Sequence, residues 1–234
     1  DASSVGSSHR TYDDNEGAFL DGVTDDAVIT SRSNVLAKYA VNSIMSSNDP
    51  FQTYWDGDYR SISQCNIFLK DRRGYTTRYM VSAVYNTQGK NRLQGEAFAL
   101  RAFFEWDLLQ KFGGKGTNGQ MLGFPIITDV VDPYGDINYA RNTYDQCVAQ
   151  IIQDCDSAIK YLPFTYRDFW YTNLSAPYND LQYQGGKYWN RFDDTGVWAI
   201  KANVYLTWAS PRFNPANDMA RWDSAAVYAK RLID

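Results

Sequence analysis

Carboxylate side chains are the first residues of this sequence that could do chemistry, because glycosidases cleave sugar bonds with a pair of them. Glu96 and Asp107 fall within about 20° of each other on a helical wheel, yet lie roughly 16 Å apart along the helix axis. Glycosidase pairs are about 5–9.5 Å apart. This pair is therefore too widely spaced, although a pair formed across the fold stays open. Arg101 and Glu105, four residues apart, are expected to form a structural ion pair on the same helix.

Nucleophilic and metal chemistry have few residues to use. His9 is the one histidine, which excludes a histidine-rich metal site and disfavours a Ser–His or Cys–His nucleophile. The sequence has three cysteines, Cys65, Cys147 and Cys155. Because their number is odd and none are spaced as C-x-x-C, we expect buried free thiols rather than disulfides or zinc ligands. The stretch 113–119 (GGKGTNG) follows a predicted helix and has glycine after its lysine, so it is predicted to be a loop and not a phosphate-binding motif. We predict no catalytic residue, no metal and no cofactor.

Aromatic residues are abundant, at 16% of 234 residues with 18 Tyr and 7 Trp. Flat rings stack on sugars, but any one ring is more often core than ligand. Between 164 and 192 the rings follow no helical period, which predicts a loop that either packs as a lid or offers rings to a ligand. The net charge of −4 with a pI near 5.0 disfavours nucleic acid as a partner. The sequence has no run of about 18 apolar residues, which is the length needed to span a membrane.

The elements that would position these residues are predicted to be helices. Residues 93–114 carry apolar stripes on two opposite sides, so this helix is expected to be packed on both sides, inside a helical array. Gly89 is expected to separate this helix from the segment before it, and Gly113 is expected to end the helix in a left-handed conformation. Asn66 is expected to face inwards and hydrogen-bond to backbone. Other helices are predicted over 51–72, 142–162 (with a capping box at Thr143), 196–209 and 222–233.

These helices also resemble those of a known family. Residues 95–114 (GEAFALRAFFEWDLLQKFGG), followed by GFPII, are similar to the signature helix of the SusD/RagB family. Further segments resemble the family's other helices in the same order: 59–69 (YRSISQCNIFL), 141–163 (RNTYDQCVAQIIQDCDSAIKYLP), 196–211 (GVWAIKANVYLTWASP) and 222–234 (WDSAAVYAKRLID). Five ordered matches are far more specific than one. The resemblance implies an all-α fold of loose tetratricopeptide-like helix-pair repeats with long irregular loops.

The resemblance implies two regions. Residues 1–50 would form an irregular N-terminal segment with a short helix, and residues 51–234 the helical repeat region of a SusD-like domain. SusD-like proteins are usually much longer than this chain. We therefore expect the sequence to cover the N-terminal and central part of the family pattern, with the C-terminal part absent.

The function implied by the resemblance is glycan binding without catalysis. SusD-like proteins are lipoproteins on the outer face of the outer membrane of Bacteroidetes-type bacteria. There they cap a TonB-dependent, SusC-like transporter and hand oligosaccharides to it, and membrane contact would come only through a lipid anchor not present in this chain. Two alternatives stay open: a peptide-binding SusD-like protein, and a helical-repeat scaffold for a protein partner. An all-α glycosidase is a third class and would need two suitably spaced carboxylates in a cleft.

The resemblance also implies where a ligand would bind. Family members place an acidic residue, an arginine and a tryptophan ahead of the first repeat helix. The nearest equivalents by order are Asp25 or Asp26, Arg32 and Trp55, with Tyr54 adjacent. Trp170 and Tyr171, in the aromatic loop, are a second choice of ligand-binding rings. For each of these residues the alternative is a packing role.

Overall fold

The computed structural model describes residues 52–71, 73–132, 134–166, 188 and 190–233. The described elements are α1 (Gln52–Asp71), α2 (Arg73–Thr76), α3 (Ala83–Phe112), β1 (Gly114–Lys115), β2 (Met121–Leu122), α4 (Tyr144–Ile159), α5 (Asp194–Ala209) and α6 (Met219–Ile233). The all-α prediction is confirmed. The chain divides into two compact units, Asp1–Ser61 and Ile62–Asp234, and every contact below lies within one of them. The expected boundary at residue 50 lies outside the described residues and stays a prediction.

Helix α3 is the centre of the second unit. It packs most extensively against α4 and also contacts α2 and α5, while α5 packs against α6. Its buried apolar side chains lie on opposite sides, as the two stripes predict: Ala97, Phe104 and Leu108 on one, and Ala102, Trp106 and Leu109 on the other. Helix α3 is therefore packed on both sides, but Leu100 on the first stripe is 37% exposed, so that stripe is not covered along its whole length.

Two glycines depart from the sequence prediction. Helix α3 continues through Gly89, which is buried, because an interior glycine costs only about 1 kcal/mol relative to alanine and tertiary packing outweighs it. Gly113 ends the helix in an extended conformation (φ −72°, ψ 136°) rather than a left-handed one. Its lack of a side chain serves close packing instead, since a Cβ there would lie 2.3 Å from the Leu109 carbonyl oxygen and 2.9 Å from the Tyr144 ring.

The glycine-rich stretch after α3 is more ordered than the predicted loop. Strands β1 and β2 pair antiparallel, with Gly114 opposite Leu122 and Lys115 opposite Met121. An isolated bridge then joins Leu122 to Thr143, just before α4. This small hairpin carries the chain from the end of α3 back to the start of α4, and a helix rather than a strand precedes it, unlike a phosphate-binding loop.

Helix α4 begins as its sequence predicts. The Thr143 hydroxyl accepts a hydrogen bond from the Gln146 backbone N–H at 3.2 Å, and the Gln146 side chain accepts one from the Thr143 N–H at 2.9 Å. This reciprocal pair is the expected capping box. All residues of the predicted apolar stripe are buried against the core: Tyr144, Val148, Ile151, Cys155, Ala158 and Leu162. The other face of α4 is left to solvent.

Candidate functional site

The residues predicted to bind a ligand are described only in part. Tyr54 and Trp55 lie in the first turn of α1. Tyr54 is 5% exposed, whereas Trp55 is half-buried and its ring centroid lies 5.0 Å from that of Tyr59. Asp25, Asp26, Arg32, Trp170 and Tyr171 lie outside the described residues. The N-terminal site stays a prediction, and Trp55 is the described member with ring area left for a ligand.

A buried polar cluster holds the second unit together around Arg101. The Arg101 guanidinium donates from Nε and Nη2 to the two carboxylate oxygens of Asp154, at 2.6 and 2.7 Å, and from Nη1 to Asn66 at 2.7 Å. The predicted ion pair of Arg101 with Glu105 is therefore wrong. A two-pronged guanidinium–carboxylate pair is stronger than a single contact, so Arg101 pairs with Asp154 on α4 rather than with Glu105 on its own helix.

Asn66 extends this cluster to the segment that follows β2. Its side-chain amide donates to the backbone carbonyls of Ile127 at 2.8 Å and Asp129 at 3.1 Å. The predicted buried hydrogen bond to backbone is thus confirmed. The cluster ties α1, α3, α4 and this segment to one another, and its polar groups are used within the protein rather than offered to a ligand.

Glu105 lies next to the cluster but is not part of its hydrogen bonding. It is 1% exposed, and neither carboxyl oxygen makes a well-formed hydrogen bond. Burial raises the pKa of Glu105 well above its usual value, the charge of Asp154 raises it further, and Arg101 lowers it in part. The folded protein therefore favours the protonated, neutral form of this carboxyl group more than the unfolded chain does. A carboxyl group sealed in this way cannot reach a substrate.

The cysteines are buried free thiols, as predicted. Burial raises the pKa of Cys65 to about 12 and that of Cys147 to about 11. Both thiols therefore stay protonated and poorly nucleophilic at neutral pH. Among the described residues no three His, Cys, Asp or Glu side chains are grouped to hold a metal ion, and none of the described helices, α3 included, is both long and apolar enough to cross a membrane.

A surface groove lies along the exposed face of α4, beside α5. Its volume is about 500 Å³. Helix α4 forms the floor and one edge, and two rings of α5 form the opposite wall. The lining side chains that matter for the chemistry are Asp145, Ala149, Gln153, Asp156, Tyr205 and Trp208. This combination of flat rings and planar polar groups is the kind that binds small polar ligands.

The two aromatic rings of the groove are fixed in place by neighbours. The Trp208 indole N–H donates to Asp145 at 2.6 Å, and the Arg221 guanidinium lies 3.9 Å from the Trp208 ring centroid. Tyr205 stacks on Tyr228 of α6, with centroids 5.5 Å apart and planes 9° apart. The wall of the groove is therefore a rigid surface, held from behind by α6 and the turn before it.

The carboxylates of the groove are paired with cations although both face water. Asp156 is 55% exposed and pairs with Lys201, whose side chain is 1% exposed. Asp145 is 64% exposed and lies 3.7 Å from Arg221. Burial lowers the pKa of Lys201, but its hydrogen bonds to Asp156 and Tyr228, together with the charge of Asp156, outweigh burial. The net shift is upwards, so the lysine stays charged. The sequence did not indicate a binding role for Tyr205 and Trp208. They lie three residues apart in a segment that was predicted only to be a helix of the family.

Solved structures share this arrangement of helices. A SusD-like protein from Bacteroides fragilis NCTC 9343 matches with a TM-score of 0.68 and 18% identity, over 100% of this chain and 37% of that one. A laminarin binding SusD-like protein matches with a TM-score of 0.68 and 19% identity, over 98% of this chain and 41% of that one. A SusD homolog from Bacteroides thetaiotaomicron VPI-5482 matches with a TM-score of 0.61 and 21% identity, over 87% of this chain and 33% of that one. The chain thus spans well under half the length of these relatives, and at this identity the likeness shows the fold. No curated protein matches the sequence.

The paired helices place this protein in an all-α, tetratricopeptide-like class. A family model described as SusD-like, starch-binding and associating with the outer membrane matches residues 5–179. Because the match covers well over half of the chain, the chain belongs to the SusD-like family. The predicted membership of the SusD/RagB family is thereby confirmed.

Proposed function

We propose that this protein binds polysaccharide or oligosaccharide at the bacterial cell surface without cleaving it, and delivers it to a TonB-dependent, SusC-like transporter. The observation that carries the proposal is the match of residues 5–179 to a family described as starch-binding. One structural neighbour is described as laminarin binding and another as carbohydrate binding. Starch and laminarin are both uncharged glucose polymers, so a neutral glucan is the ligand class to test first.

The proposed capture site lies at the N-terminal end of the helical region. The Trp55 ring stacks on a sugar face, with Tyr54 beside it, since flat apolar rings pack well against the C–H faces of sugars. Asp25 or Asp26 and Arg32 hydrogen-bond to hydroxyl groups. Trp170 and Tyr171 are the second choice of ligand-binding rings, as an alternative to this site. In support, Trp55 is half-buried and rests on Tyr59, which holds its ring in one orientation. The division into an N-terminal segment 1–50 and a helical region 51–234 is part of the same proposal.

The absence of catalysis is supported by the state of the α3 carboxylates. Glu96 accepts two hydrogen bonds from Arg191, each at 2.7 Å, and Asp107 pairs with Lys111. A glycosidase needs one carboxyl group to donate a proton and a second to act as base or nucleophile. Both carboxylates are already held by cations of the same chain, so neither is free to take one of these roles.

The proposed location is the outer face of the outer membrane. The family description names association with that membrane, and several structural neighbours come from Bacteroides species. Attachment through a lipid anchor is part of the same proposal. The transporter is the proposed partner because a surface protein that only bound glycan would not bring it into the cell.

Calorimetric titration of the intact protein tests the proposal. The ligands are malto-oligosaccharides, laminari-oligosaccharides and a peptide mixture, each titrated into wild type, Trp55→Ala and the conservative variant Trp55→Phe. We expect saturable glucan binding without release of new reducing ends, about tenfold weaker binding by Trp55→Ala for a loss of about 1.4 kcal/mol, and near-normal binding by Trp55→Phe. Release of reducing ends would identify an enzyme, and binding of peptides alone would identify a peptide-binding member of the family.

A further inference from the structure

We infer that the groove between α4 and α5 is a second binding site for a neutral oligosaccharide, built from residues other than those proposed around Trp55. The inference rests on the proposed function, because it assigns the same class of ligand. It goes beyond it in placing a site on the helical repeats themselves. The side chains that carry it are Tyr205 and Trp208 on the wall and Gln153 on the edge.

The shape of the groove fits a chain of sugar rings. Its volume of about 500 Å³ falls within the range of roughly 300–1,000 Å³ typical of ligand sites. The floor is open because Ala149 and Ser157, on either side of Gln153, are small. Residues 145, 149, 153 and 156 recur at three- and four-residue spacing, so they share one face of α4. Asp145 and Asp156 lie about 16 Å apart along the helix axis, so the polar edge is longer than a single sugar ring.

The aromatic wall is organised before any ligand arrives. Trp208 is held by Asp145 on its N–H and by Arg221 on its ring, and Tyr205 is stacked on Tyr228. A side chain that is already immobile loses little conformational entropy when a ligand binds. Rigid rings beside a shallow floor that mixes polar side chains with the apolar Val148 and Ile152 favour a flat ligand such as a pyranose, which has both C–H faces and hydroxyl groups.

The charge balance of the groove favours an uncharged ligand. The two carboxylates are compensated by Lys201 and Arg221, so they offer oxygen acceptors to hydroxyl groups without an excess of negative charge. Lys160 adds one cation at the far end. An extended peptide is less well served, because the floor is a helix whose backbone groups are already hydrogen-bonded and there is no strand edge along it to extend.

Filling the groove tests the inference without removing any contact. Ala149 is an exposed residue of the floor, and Ala149→Trp places a large ring in the groove. Ala226 is equally exposed on α6 and does not line the groove, so Ala226→Trp is the matched control. Each variant of the intact protein is titrated by calorimetry with maltoheptaose and laminariheptaose, and a second set is made in the Trp55→Ala background. The circular dichroism of each variant checks that it is folded.

We expect Ala149→Trp to weaken one binding event at least tenfold or to remove it. Ala226→Trp should bind as the wild type does. Trp55→Ala should retain the binding event that Ala149→Trp removes. Unchanged binding by Ala149→Trp would overturn the groove site and leave the proposed function standing. Loss of all binding in Trp55→Ala alone would also overturn it, because a single site would then account for the affinity. Wild-type protein that binds no glucan, or only peptides, would overturn both the inference and the proposed function.

Discussion

Replacing Glu105 with glutamine changes how the stability of this protein depends on pH. The Glu105 side chain is 1% exposed and lies beside the Arg101–Asp154 pair without a well-formed hydrogen bond. Burial, and then the charge of Asp154, raise its pKa well above its usual value of 4.5, while Arg101 lowers it in part. The folded protein therefore keeps a proton on Glu105 at pH values where the unfolded chain has released it.

The sign of the effect follows from which state binds more protons. Between pH 4.5, where the unfolded group titrates, and the higher pKa of the folded state, the folded protein holds one proton more. Raising the pH across this window therefore lowers the free energy of unfolding, by at most about 1.4 kcal/mol for each pH unit. Glutamine resembles the protonated carboxyl and does not titrate. Glu105→Gln should match the wild type at low pH and exceed its stability increasingly as the pH rises.

Urea denaturation measures this difference directly. Wild type, Glu105→Gln and Asp223→Asn are unfolded at unit steps between about pH 5 and pH 8, the last variant removing an exposed carboxylate on α6 as a matched control. We expect the stability gap between Glu105→Gln and wild type to widen with pH, and the gap for Asp223→Asn to stay constant. Parallel pH curves for wild type and Glu105→Gln would show that the folded protein ionises Glu105 normally, and would refute the reasoning.

Three further substitutions test the packing around the central helix, each by the shift in urea midpoint. Thr143→Ala removes one side of the capping box of α4 and should cost about 1 kcal/mol, with Thr143→Ser restoring most of it. Gly95→Ala places a Cβ 2.7 Å from Leu162. We expect it to lower the free energy of unfolding despite the better helix propensity of alanine, because overpacking costs about 1–3 kcal/mol. An increase in stability would mean that the leucine side chain moves freely. Asp154→Ala leaves the Arg101 guanidinium buried without its carboxylate and should cost about 3–5 kcal/mol, whereas a loss below 1 kcal/mol would show the pair to be dispensable.

Local rules account for the parts of the fold that were predictable from sequence. The start of α4 follows from Thr143 and Gln146, which interact within a single turn. The burial of its stripe follows from helical spacing, and the burial of the cysteines from their number and spacing. Even the inward-facing Asn66 was predictable, because a polar residue on an apolar stripe must find a hydrogen bond.

Features that depend on which elements meet were not predictable in this way. Arg101 has a carboxylate four residues away in sequence, yet its partner Asp154 is 53 residues away. Gly89 looks like a helix breaker from its type alone, and only the burial of α3 shows why it is not one. The groove likewise exists because α5 lies beside the exposed face of α4, so Tyr205 and Trp208 looked like ordinary helix residues.

The Arg101 cluster also bears on the order in which the chain folds. Its hydrogen bonds join residues 35 positions upstream and 53 positions downstream of the arginine. Closing such loops costs chain entropy before any contact repays it, so contacts of this range form late in folding. The capping box and the hairpin after α3 join near neighbours and can form first. Because its members come from α1, α3 and α4, the cluster can close only when these three helices have come together.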